Sequence, residues 1–193
     1  MKKLVTIGFM VLAIGIAQGQ EVKFGVKGGL NLMKISNNQL SGNNKVGFHI
    51  GGLVEFKLSD KFAIQPELLY STKGTKQDFY GIQLITNLSY IDLPIMAKFF
   101  VTKGLSIEAG PQIGYLVSEK GISNSELVIY QAGNYNKMDY GLNLGAGYVL
   151  ENSLLFQVRY YLGLADISKI YPYSNTNIID HNKGFQLSVG YQF

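Results

Sequence analysis

The sequence contains no cysteine and no tryptophan, and only 16% of its 193 residues are charged. Without cysteine there are no disulfide bonds, thiolate nucleophiles or thiolate metal ligands. The 17 basic and 13 acidic residues give a formal charge of +4, a bias too weak to indicate a nucleic-acid partner. Glycine (23 residues), tyrosine (13) and phenylalanine (11) are abundant instead. This composition excludes a disordered chain and a helical membrane protein, and the length allows one domain.

The first nineteen residues have the pattern of a secretory signal peptide. Lys2 and Lys3 precede an almost unbroken apolar run over 4–17, and the small residues Ala17 and Gly19 follow it. The alternative, an anchoring helix, needs about 20 apolar residues, whereas this run has roughly 14. We therefore predict that residues 1–19 are cleaved and that residues 20–193 form an exported domain. Loss of the two lysines leaves a net charge of 15 − 13 = +2.

Beyond residue 20, apolar residues recur at every second position. In the C-terminal segment, Phe185, Leu187, Val189, Tyr191 and Phe193 alternate with glycine and polar residues. The same alternation runs through 22–32, 46–56, 62–70, 91–101, 105–117, 140–150 and 156–164. Short turns at 58–61, 102–104 and 151–153 alternate with longer polar links at 34–45, 74–87, 119–136 and 167–183. This pattern predicts an all-β fold, an eight-stranded antiparallel up-and-down barrel.

The composition of the two strand faces favours a transmembrane barrel over a soluble one. The face opposite the apolar residues carries mostly glycine, serine, asparagine and glutamine, which would make a poor solvent surface but a plausible narrow interior. The segments are also close to the length of tilted membrane-spanning strands. A secreted lipocalin-like barrel, with the apolar residues inside, is the alternative.

The aromatic residues are concentrated near the ends of the predicted strands. Seven fall near the tight turns and four near the long links: Phe56, Phe62, Phe99, Tyr148, Phe156, Tyr191 and Phe193, then Phe48, Tyr70, Tyr115 and Tyr140. Two outward aromatic girdles are typical of a barrel at the two bilayer interfaces. The terminal residues Tyr191 and Phe193 also resemble the assembly signal of bacterial outer-membrane barrels. We therefore predict export to a Gram-negative outer membrane, with tight turns in the periplasm and long loops outside.

Counting alternate positions from the turns places six charged residues in the lumen at similar heights. They are Lys27, Glu55, Glu67, Lys98, Glu108 and Arg159. Because an eight-stranded barrel is just wide enough for its own side chains, these charges are predicted to pair as an ionic plug. A carboxylate constellation for catalysis is the alternative reading of the same residues.

Three prolines and two histidines fit the pattern less simply. Because proline removes a ladder donor, Pro66, Pro94 and Pro111 predict bulges within their strands. His181, with Asp180 beside it and Ser174 nearby, is the one candidate for a lipid-modifying or peptide-modifying enzyme. We interpret His49 as a packed residue rather than a metal ligand, and we predict no cofactor.

Six segments carry a family resemblance. They are Phe24–Asn31, Gln65–Ser71, Tyr90–Pro94, Gly110–Tyr115, Asp139–Leu142 and Arg159–Leu164. In this order they resemble the PorT-like outer-membrane β-barrel family of Bacteroidetes. The resemblance implies an outer-membrane barrel and suggests that the prolines are shared by the fold. Asp92 stands where the family often has glutamate. The namesake takes part in a secretion apparatus, a role that this resemblance alone does not transfer.

The expected function is that of a non-enzymatic integral outer-membrane barrel. Its expected partners are the lipid bilayer, the barrel assembly machinery and an envelope protein or extracellular ligand, contacted chiefly through 119–136 and 167–183. Two alternatives stay open, a small lipid-modifying enzyme on the same barrel and a narrow pore.

Overall fold

The computed structural model describes residues 21–36, 43–79, 82–123, 135–169 and 179–193. They form eight strands: β1 (Val22–Ser36), β2 (Asn43–Lys57), β3 (Phe62–Phe79), β4 (Ile82–Phe100), β5 (Leu105–Ser123), β6 (Met138–Val149), β7 (Leu154–Gly163) and β8 (His181–Gln192). Each strand pairs antiparallel with the next, and β8 pairs with β1 to close the barrel. The predicted eight-stranded up-and-down barrel is confirmed. The predicted signal peptide lies outside the described residues.

No helix among the described residues is long and apolar enough to cross a bilayer.

Polar and charged residues face the inside of the barrel and apolar residues face outward. Leu144 is 62% exposed and Ile50 60%, whereas Lys98 and Arg159 are each 1% exposed. This is the reverse of a water-soluble protein and is the distribution expected when the outer surface contacts hydrocarbon. The lipocalin-like alternative is wrong because the apolar face is not the interior.

The aromatic residues predicted for the two girdles lie on the outer surface near both ends of the barrel. Phe62 and Phe99 meet across β3 and β4 at the tight-turn end, with ring centroids 5.1 Å apart. Phe48 and Tyr70 meet at the long-loop end, with centroids 6.0 Å apart. The outer surface therefore carries aromatic pairs at each end, as the positions in the sequence predicted.

Strands on one side of the barrel are longer than the hydrophobic alternation indicates. The predicted link over 74–87 is wrong, because β3 and β4 continue to pair from Gly74↔Asn87 as far as Phe79↔Ile82. On the neighbouring side, β5 runs on to Ser123, while β7 has only 10 residues. The strands β3 to β5 therefore project beyond the rest of the barrel at the long-loop end.

The prolines do not produce the predicted bulges. The β3–β4 register is the same at Pro66↔Ile95 and Leu69↔Asp92, and the β4–β5 register is the same at Pro94↔Gln112 and Ala97↔Ala109. The β5–β6 register runs through Pro111 without a break. Among the described strands, shifts occur instead between Asn44 and His49 and between Ser89 and Tyr90. With the register unshifted, Asp92 and Gln112 both face the lumen, where they are 0% and 1% exposed.

Candidate functional site: the polar lumen and its cap

The six charged residues predicted for the lumen are all buried and lie together. Arg159 on β7 is the centre, because its guanidinium donates to both Glu67 on β3 and Glu108 on β5. The Nη2 atom lies 2.7 Å from Glu67 Oε1 and 2.7 Å from Glu108 Oε2. Such charge-assisted, partly bidentate contacts fix the geometry of three strands across the lumen.

Three further ion pairs extend this cluster to the other predicted residues. The Lys27 ammonium lies 2.7 Å from Glu67, and the Lys98 ammonium lies 2.6 Å from Glu55 and 3.7 Å from Glu108. Three cations therefore alternate with three carboxylates in one connected chain. We call these six residues the ionic network.

Buried amides fill the gaps between these charges. Gln157 accepts from Lys27 and donates to Glu108, while Gln65 accepts from Lys98 and donates to Glu67. Gln192 donates to Glu55 over 3.4 Å. We did not single out these glutamines from the sequence, although each occupies an inward position of its strand. These glutamines form hydrogen bonds with the donor and acceptor atoms that the ion pairs do not use. Buried charges are costly when such atoms have no partner.

A chain of neutral hydrogen bonds lies farther along β1, β2 and β8. His49 Nδ1 is 2.8 Å from Asn31 Oδ1, and His49 Nε2 is 2.8 Å from Ser188 Oγ. Asn31 also donates to Ser71 Oγ over 2.9 Å. The order serine, histidine, asparagine is that of a nucleophile, a base and an orienting group. The residues of this chain are at most 5% exposed, so Ser188 Oγ is buried within the lumen.

A second ionic cluster, which sequence reasoning missed, lies toward the long-loop end. The Lys73 ammonium is 3.1 Å from Asp92 and 3.2 Å from Asp139. It also sits 4.5 Å from the ring centroid of Tyr90 and 4.6 Å from that of Tyr161, within the range of cation–π attraction. We call these five residues the lysine cage. Asp139 is held in addition by the Tyr161 hydroxyl, which donates to it over 3.0 Å.

An apolar cap lies at the long-loop end of the lumen. Its buried residues come from β1, β4, β5 and the segment after β7: Ile35, Leu88, Tyr90, Leu116, Ala165 and Ile167, with Tyr135 packed against them. The backbone of Ile167 makes two hydrogen bonds. Asn136 N–H donates to the Ile167 carbonyl oxygen, and Ile167 N–H donates to the Asp180 carbonyl oxygen. The described parts of two predicted partner-binding loops therefore cover the barrel mouth.

Of the remaining sequence-based candidates, the described residues include only His181 and Asp180. His181 is the first residue of β8, and its Nδ1 lies 2.8 Å from the carbonyl oxygen of Ala165. Asp180 uses its backbone in the cap, and Ser174 lies outside the described residues. Among the described residues, no group of three or more His, Asp or Glu side chains is arranged to hold a metal ion.

The predicted assembly signal lies at the tight-turn end of the outer surface. Tyr191 and Phe193 are 47% and 71% exposed, and Phe193 exchanges two backbone hydrogen bonds with Phe24 of β1. The C-terminal aromatics therefore sit beside the strand pair that closes the barrel.

Comparison with known proteins agrees with this architecture. Residues 16–169 match the family described as outer membrane protein beta-barrel domain. The chain belongs to this family. The PorT-like assignment within the outer membrane protein β-barrel domain family stays a prediction. No curated protein matches the sequence.

Two solved structures show the same fold at low identity. The attachment invasion locus protein Ail of Yersinia pestis, solved in complex with the heparin analogue sucrose octasulfate, is 11% identical and has a TM-score of 0.55, over 90% of this chain and 99% of its own. Neisserial surface protein A is 10% identical with a TM-score of 0.58, over 91% of this chain and all of its own. At this identity the likeness extends to the barrel alone, so this member of the β-barrel domain family shares their architecture.

Proposed function

We propose that the protein is a non-enzymatic integral membrane barrel of the outer membrane with a closed lumen. Its role is structural or partner-binding, through the long loops that the sequence predicts on the extracellular side, chiefly 119–136 and 167–183. The ionic network carries this proposal. Six buried charges and their amides cross the lumen in one connected chain, and the lysine cage and the apolar cap lie between this chain and the long-loop end.

Cell fractionation of the expressed full chain, together with gel migration before and after boiling, tests the membrane placement. We expect the protein in the outer-membrane fraction, and we expect migration to change only after boiling. A precursor longer than the mature protein would support the predicted signal peptide. Recovery in the soluble fraction without detergent would contradict the proposal.

Planar-bilayer recording tests the closed lumen. We expect no discrete conductance steps from the inserted wild-type protein, because the ionic network crosses a lumen that is just wide enough for its own side chains. Regular steps whose size is set by ion type would favour the narrow pore instead.

We also propose that the barrel assembly machinery recognises the C-terminal aromatics, and their exposed position supports this. Phe193→Ala is expected to reduce the amount of barrel assembled in cells, while the purified variant still refolds in detergent. The exposed aromatic Phe62, at the same end of the barrel, provides the control Phe62→Ala. Equal assembly of both variants and wild type would contradict this part of the proposal.

A further inference from the structure

Two lysines stand side by side on the outer wall near the long-loop end. Lys34 on β1 and Lys183 on β8 are register partners. The residues on either side of each lysine along its strand are buried in the lumen. Because directly opposite residues of an antiparallel pair point to the same face, both lysines point away from the lumen. We call them the lysine pair.

Like charges in this position repel each other and destabilise the strand pair. The ion pairs formed among the described residues involve other lysines and Arg159, and none joins Lys34 or Lys183 to a carboxylate. An anion from outside the described protein would relieve this repulsion.

The surface on the membrane side of the lysine pair is apolar. Leu32 and Phe185 form the next outward pair on the same strands, and the Phe185 ring meets Tyr160 edge-on at 5.0 Å. One further outward pair along, Leu30 and Leu187 line a groove of about 560 Å³. The groove begins four residues from the lysine pair, about 13 Å along the strands.

The floor of this groove is formed where an outward side chain of β6 is small. Ala146 lines it, beside the larger outward residues Tyr148 and Val158. Because the groove lies on the outward apolar wall, a hydrocarbon chain is the occupant whose chemistry fits it. A free anion would use the lysines but leave the groove unused.

We propose that the lysine pair and the groove form a binding site for a phosphorylated lipid of the leaflet on the long-loop side. The phosphate lies between Lys34 and Lys183, and an acyl chain passes over Leu32 and Phe185 into the groove. Clustered lysines at this depth attract anionic headgroups. This site rests on the membrane placement proposed above.

Native mass spectrometry of the folded full-length mature barrel in detergent tests the site. The probe is diphosphorylated lipid A, titrated beside phosphatidylcholine and inorganic phosphate. We expect one molecule of lipid A to bind in preference to phosphatidylcholine. Replacement of both lysines in Lys34→Gln/Lys183→Gln is expected to weaken lipid A binding about 30-fold.

The control variant makes the same charge change at the other end of the barrel. Lys61 and Lys103 are exposed in or beside tight turns, so Lys61→Gln/Lys103→Gln should leave lipid A binding at the wild-type level. Ala146→Phe fills the groove and should weaken lipid A binding while leaving both lysines in place. Wild-type binding by Ala146→Phe would overturn the placement of the acyl chain.

The outcomes separate the site from the membrane proposal. Equal binding of lipid A by wild type and the lysine-pair variant, in barrels that still shift on boiling, would overturn the site and leave the membrane proposal intact. Displacement of lipid A by inorganic phosphate at similar concentrations would show an anion site without a lipid, and would also overturn it. A protein that never enters membranes would overturn both.

Discussion

Arg159 is the side chain that joins most of the ionic network. Its guanidinium makes four hydrogen bonds to the carboxylates of Glu67 on β3 and Glu108 on β5, whereas Lys27 and Lys98 each share their ammonium with a glutamine. Removing one partner of a buried pair leaves the other charge without compensation, which costs more than the pair itself contributes. The ionic network is therefore sensitive to the loss of this residue.

We expect Arg159→Met to lower the stability of the barrel by about 3–5 kcal/mol while leaving its membrane location unchanged. The midpoint temperature of gel migration, after stepwise heating, measures this loss. Val158→Met places the same residue at the adjacent position, which faces outward and is 44% exposed, and should have little effect. An equal midpoint for Arg159→Met and wild type would contradict the ionic plug.

Gly184 is a residue whose backbone permits no side chain. Its φ is +155°, and a Cβ there would meet the carbonyl oxygen of Leu32 on β1. Gly184→Ala is expected to cost about 1–3 kcal/mol, because L residues rarely adopt this conformation. Gly52→Ala is the control, since a Cβ there meets only a carbonyl oxygen 3.7 Å away. Equal unfolding midpoints for the two variants would contradict this reasoning.

At the residue scale, the sequence predicts most of the inward charges within the recognised strand segments, but it did not place Asp92 of segment 91–101 in the lumen. Glu67 and Arg159 follow from counting alternate positions, because a barrel wall has a strict period of two. Lys73 has the same phase as Glu67, and Asp139 the same as Gly141. They were missed because the predicted segments end at Tyr70 and begin at Tyr140. Which cation meets which carboxylate depends on register across non-adjacent strands, which the sequence does not show.

At the scale of the elements, the prolines interrupt the ladders without shifting them. The paired residues omit Glu67↔Pro94 and Leu68↔Leu93 between β3 and β4, yet the register on both sides is the same. A bulge would need an extra residue on one strand, whereas a missing N–H removes only a hydrogen bond. The predicted bulges at the prolines are therefore wrong, and the register shifts of the described strands lie at other positions.

The hairpin of β3 and β4 also shows why the alternation ends before the strands do. Residues 74–78 are glycine or polar, yet their pairing with 83–87 continues. Above a bilayer, ladder hydrogen bonds can persist while the outward residues face water. The stretch over which apolar residues alternate then gives the membrane-facing length of a strand, which is shorter than the full strand.

The apolar cap is an element that packs like a soluble core. Ile167 is fully buried, so Ile167→Ala is expected to lower stability by about 2–5 kcal/mol. Ile122→Ala, at a 47% exposed position of β5, is the matched control and should change stability by about 0.5 kcal/mol or less. The unfolding midpoint in detergent measures both. If the two variants unfold together, the cap is not packed as described.

Over the whole molecule, the lumen is divided into clusters of unequal charge. The ionic network has three cations and three carboxylates, 3 − 3 = 0, whereas the lysine cage has one cation and two carboxylates, 1 − 2 = −1. Loss of Arg159 leaves Lys27 on Glu67 and Lys98 near Glu108. Loss of Lys73 leaves two buried carboxylates, with a tyrosine hydroxyl and an asparagine amide as donors to Asp139.

This difference in charge predicts which variant is less stable, and the prediction is the opposite of the one from counting hydrogen bonds. Arg159 makes more hydrogen bonds than Lys73, but Lys73→Met should lower the unfolding midpoint further than Arg159→Met. Two buried carboxylates are then left without a cation, so one must take up a proton and the other stays uncompensated. Lys73→Met/Asp139→Asn removes one of those charges and should recover part of the loss. The comparison uses the same heated-gel midpoint for all three variants. Were Arg159→Met the less stable single variant, or Asp139→Asn without effect in the Lys73→Met background, charge balance within each cluster would not determine the stability of the barrel.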